Sequence, residues 1–138
     1  MLTKAAIERL VEARFAEAIS LFDAKHFSGA YYLGGYVVEL AIKACIANVF
    51  QQGAIPDRKF VNSIYDDNLT ALIRVAGLEA DLKAKAQVDA DFAQHWEYIA
   101  EWSESVRYQL VEEDKAKPLI EALRDENHGI LQWIKMYW

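Results

Sequence analysis

The stretch Gly29-Ala30-Tyr31-Tyr32-Leu33-Gly34-Gly35-Tyr36-Val37-Val38-Glu39-Leu40-Ala41-Ile42-Lys43-Ala44-Cys45-Ile46-Ala47-Asn48-Val49-Phe50 decides the fold. Glu39 and Lys43 are its only charges. A run this apolar is long enough to span a bilayer, which takes about 20 residues. Two charges at that depth would cost about 2.5–3.5 kcal/mol each on insertion scales. The better expectation is a central helix buried on most sides by its neighbours, capped by Ser28, with no membrane partner. Gly34-Gly35 fits that role. Each helical glycine costs about 1 kcal/mol relative to Ala, which is tolerable where another helix must come close. Glu39 precedes Lys43 by one helical turn in the favourable order. On an open surface the pair would be worth about 0.3–0.5 kcal/mol. On an otherwise apolar helix it points instead to a groove or an interface.

Outward from this helix, residues 3–25 predict an amphipathic helix with Ile7, Val11, Phe15, Ala18 and Phe22 on its apolar stripe and Thr3 as N-cap. Residues 51–67, with Gly53 and Pro56, read as the longest loop. Short helices follow at 67–77 and 79–87, then a longer one over 88–104 carrying Phe92, Trp96 and Ile99. A polar turn runs from Arg107 to Asp114. Pro118 near its start and Leu119, Leu123, Ile130 and Ile134 along its core face mark a last helix. No segment alternates with period two and no repeat appears, so the expectation is one all-α domain over 1–138. Its architecture would be an up-and-down four-helix bundle with a short helical insertion.

The composition agrees with a single folded domain. The chain has 138 residues, 54% hydrophobic and 26% charged, which excludes disorder and low-complexity sequence. Its net charge of −6 argues against a surface that embraces nucleic acid as a whole. The deficit is uneven: residues 1–77 carry eight basic and eight acidic side chains, and residues 78–138 seven and thirteen. A polyanion site is therefore expected on the N-terminal half or at isolated Arg and Lys side chains. A single cysteine and an N-terminus unlike a signal peptide lead to a cytoplasmic expectation.

Zinc and di-iron spacings are missing, and Gly34-Gly35 lacks the strand-loop-helix context of a phosphate cradle, so no metal or cofactor is expected. Cys45 reads as core packing. Arg107-Tyr108 could hold a phosphate in a planar fork and stack a base, or Arg107 could tie down Glu112, Glu113 or Asp114. His26 and His95 read as a helix-junction residue and a packed or surface histidine.

From Ala30 to Ala44 the sequence resembles the signature helix of HEPN domains (higher eukaryotes and prokaryotes nucleotide-binding), in which a small-aromatic-aromatic-x-x-Gly segment runs into a Glu-x-x-x-Lys pair. Phe22-Asp23-Ala24-Lys25, Asp67-Asn68-Leu69-Thr70-Ala71-Leu72 and Arg107-Tyr108 follow that family's order. The resemblance implies a homodimeric bundle with a nucleotide- or RNA-facing groove, lined here by Tyr36, Glu39, Lys43, Arg107 and Tyr108. It also implies a metal-independent endoribonuclease or a non-catalytic partner of a nucleotidyltransferase, toxin-antitoxin or defence system. The ribonuclease members carry an Arg, four to six residues, then His. Here Glu112, Glu113 and Asp114 occupy those places after Arg107. The nearest approach is Arg124 to His128, with three residues between, a spacing that on a continuous helix shares one face. The expectation is a non-catalytic nucleotide-, RNA- or partner-binding accessory. The alternatives are a ribonuclease using Arg124 with His128, or Arg107 with an acidic base, and a purely structural, antitoxin-like bundle.

Overall fold

The computed structural model describes residues 2–50 and 53–138, and among them there is no strand. The first helix, α1, spans Lys4–Asp23, and Thr3 caps it by accepting the Ala6 N–H at 3.1 Å. It closes in a Schellman turn, where Lys25 donates to the Phe22 carbonyl and His26 to the Leu21 carbonyl. Lys25 holds the left-handed position, φ 64°, that glycine usually takes. The chain then reverses into α2, Phe27–Ala47, which packs along α1 as a helical hairpin.

Thirteen of the 21 residues of α2 are buried, so its apolar run is spent on neighbours within the chain. It starts two residues before the expected Gly29. Ser28 is not its cap: the Ser28 hydroxyl accepts the Val111 N–H at 2.8 Å and reaches the Val111 carbonyl at 3.3 Å. The close approach at the paired glycines has identifiable partners. A Cβ on Gly34 would lie 2.5 Å from Leu119, and one on Gly35 would sit 2.1 Å from the Trp102 indole.

The segment read as the longest loop contains a helix. Asp57 accepts the Phe60 N–H at 2.7 Å and starts α3, Arg58–Ile64. Its seven residues are too few for the apolar periodicity to show in the sequence. Then come α4 (Leu69–Val75), ended by Gly77 at φ 76°, α5 (Glu79–Val88) and α6 (Ala90–Ala100), capped by Asp89. Helix α6 stops at Ala100, short of the expected residue 104, and a 3-10 turn over Glu104–Tyr108 follows three residues later.

The expected last helix is broken in two. Helix α7, Glu113–Arg124, begins before Pro118, which lies in its second turn and costs it one hydrogen bond. Asp125 leaves helical geometry, its carboxylate accepts the Asn127 and His128 N–H groups at 2.9 and 3.0 Å, and α8, Ile130–Lys135, follows. Gly129 is required there: a Cβ would lie 2.1 Å from the Asp125 carbonyl oxygen. Only α1 and α2 are long helices. The core gathers around α2, which touches α1, α4, α7, α8 and the 3-10 turn, while α6 packs on α7.

Candidate functional site

Tyr32, Tyr36, Glu39 and Lys43 recur at steps of four, three and four, so they form one stripe on α2. Tyr32, Tyr36 and Lys43 are half-buried, as is Leu33 beside them, whereas Gly34, Val37, Val38 and Ala41 on the opposite side are buried. Glu39 is the one buried charged residue among those described, and Lys43 Nζ donates to its Oε1 at 2.9 Å. The ion pair read from spacing is therefore formed, and it sits at the boundary of the core.

Arg107 and Tyr108 lie at the other end of the stripe. The Trp102 ring stacks on Tyr32 with centroids 6.3 Å apart, and the 3-10 turn that follows places Arg107 beside Tyr108, its guanidinium 4.9 Å from the phenol centroid. Tyr108 and then the Glu104 carboxylate hold the Arg107 pKa above its ordinary value, with Tyr32 nearby. The acidic turn at 112–114 is not its partner; Glu104 is, one turn upstream, at 2.5 Å. Both side chains of that pair are over 40% exposed, so an incoming phosphate competes with a weak, solvated contact. Eleven residues of helix between Tyr32 and Lys43 rise about 16 Å, so within one chain Arg107 and Lys43 mark two ends of a surface and not one pocket.

Arg124 and His128 do not share a helix face as their spacing suggested, because α7 ends at Arg124. Arg124 turns over the Phe22 ring at 5.7 Å, and His128 points to the start of α6. There it meets residues the sequence did not single out. His128 Nδ1 is 2.8 Å from Asp89, its Nε2 is 3.9 Å from Asp91, and His95 Nε2 is 3.0 Å from Asp125. The Asp89 bond holds the His128 pKa above its ordinary value, and the same bond lowers that of Asp89. His95, with the His128 and Asn127 amides, draws the Asp125 carboxyl down to about 2. Asp89, Asp91 and His128 bring one ligand atom each within 4.8 Å of the others, so they could hold a divalent cation, or Asp89 could orient His128 as a base. The only sequence signal was Asp89 itself, a capping residue before a helical run.

Burial pushes the Cys45 thiol up to about 11, in keeping with a packing role and against a nucleophile. No protein-family model matches the chain, nor does any curated protein or solved structure.

Proposed function

We propose that this chain is a cytoplasmic, non-catalytic, HEPN-like helical domain that pairs with a second copy and binds a nucleotide or RNA along the α2 stripe. The four longest helices, α1, α2, α6 and α7, and the packing of α2 between α1 and α7 support the four-helix reading. The observation that carries the function is the stripe itself. On a helix that is mostly buried, Tyr32, Tyr36 and Lys43 keep partial solvent access, with Arg107-Tyr108 at one end. Two tyrosines offer stacking faces, and the cations at the ends offer phosphate contacts. Packing two stripes antiparallel about Tyr36 would bring a second copy's Arg107 toward Lys43, uniting groups that one chain keeps at opposite ends of the stripe. Such an accessory would work with a nucleotidyltransferase or a toxin-antitoxin or defence partner.

Calorimetric titration with ATP, GTP and short RNAs tests the ligand. Binding that falls about tenfold in Arg107→Ala supports it, and no binding, or binding indifferent to that change, rejects it. Light scattering that gives the mass of one chain rejects the dimer.

A second, hydrolytic reading draws on His128, a partly exposed imidazole oriented by Asp89. It replaces Arg124 with the groups the turn gathers around His128. RNA cleavage in EDTA that disappears in His128→Ala would favour it over the accessory role.

A further inference from the structure

Beyond the stripe, the C-terminal end of α2 forms one wall of a half-open cavity of about 680 Å³ bordered by the start of α1 and by α3. That volume falls in the range of about 300–1,000 Å³ typical of small-molecule sites. Ile7, Ile46, Val61 and Ile64 line its interior, and among the described residues Lys4 and Lys43 are the only charged ones on its wall. The acid partners of those lysines stand outside it. Lys4 Nζ is 3.4 Å from Glu8 and Lys43 Nζ 2.9 Å from Glu39, and neither glutamate lines the cavity. An ammonium has three N–H donors, and each pair uses one, so both lysines retain donors for a ligand.

We propose that this cavity binds an amphipathic carboxylate of medium chain length, with its hydrocarbon against the isoleucines and Val61 and its head between Lys4 and Lys43. Charge complementarity selects the class. An apolar wall whose two described charges are both positive favours an anionic head over a neutral or cationic one. A tail laid against Ile7, Ile46 and Ile64 contributes through apolar burial. The site is independent of the nucleotide reading, although Lys43 borders both.

The test is calorimetry of the full chain with decanoate, with decanol as the uncharged probe, and with AMP in a separate titration. Expected are saturable one-to-one decanoate binding, about tenfold weaker binding of decanol, and about tenfold loss for decanoate in Lys4→Met. Lys4 is half-buried at the surface, so that variant keeps the fold, which a melting curve checks. Ile64→Glu, placing a carboxylate in the cavity, is expected to abolish decanoate binding and leave AMP binding unchanged. Equal affinity for decanol and decanoate overturns the role of the lysines. No saturable binding, or uptake only onto anionic vesicles, overturns the site. Loss of AMP binding alone would count against the stripe and not against the cavity.

Discussion

Two ionic sites of this molecule are built in opposite ways. Glu39 and Lys43 lie four residues apart on one helix and meet as helical geometry requires. Asp89–His128 and His95–Asp125 join residues 39 and 30 positions apart, and they meet only because α7 stops at Arg124 and the chain turns back at Gly129. The first site is a property of a local sequence, half sunk in the core. The second belongs to a junction between three elements and is part-buried as well. A local pair can be moved with its helix, whereas the junction exists only if the tertiary fold is right.

The comparison can be broken most forcibly at the helix that carries the local pair. Gly35→Val would drive a side chain into the Trp102 indole, and a loss of about 3 kcal/mol or outright failure to fold is expected in urea titrations. A tolerated valine would show that α2 does not need its close approach. Next in size is Lys43→Met, which leaves Glu39 buried without its cation and costs about 2 kcal/mol. Adding Glu39→Gln should return more than half of that loss. Strictly additive effects in the double-mutant cycle would mean that the pair is not coupled.

At the junction, Asp125→Ala removes two backbone contacts and the His95 partner, for an expected loss of about 1–2 kcal/mol. An unchanged midpoint would show that Gly129 alone sets the turn. The smallest effect is a pH profile. Asp125 is lowered from 3.8 to about 2, so its contribution is present above pH 3.8 and lost as pH falls toward 2. His128 is raised above 6.5, so its contribution is complete below that value and lost as pH rises through the folded pKa. Thermal stability is therefore expected to be greatest between about pH 4 and 6.5. His128→Asn should flatten the neutral side and Asp125→Asn the acid side, with the α2 pair untouched by either.

How much was legible follows from the same contrast. Helix α1, its Thr3 cap, the burial of α2 and the Glu39–Lys43 pair depend on spacings of three and four residues, which the sequence displays directly. Helix α3 was hidden because seven residues around one cap do not establish a period. The break after Arg124 was hidden because Leu119, Leu123, Ile130 and Ile134 keep a helical apolar pattern across it, while Asp125 and Gly129 supply the turn. Arg107 found Glu104 and not the acidic run beyond it, because a 3-10 turn, with three residues per turn, sets residues 104 and 107 on one side. The α6–α7 junction offered no local spacing to read, only an isolated capping aspartate.

The clasp between Ser28 and Val111 has a consequence in time as well as in space. It unites positions 83 residues apart, so it can close only after the beginning of α2 and the approach to α7 have docked. The Val111 amide lies between exposed Leu110 and Glu112 in a segment with no helix of its own, yet its proton is held by a hydroxyl. In deuterium exchange it should behave as part of the slow core, a sentinel that reports late assembly from within an irregular stretch. Ser28→Ala would silence that report and leave the helices on either side to exchange as before.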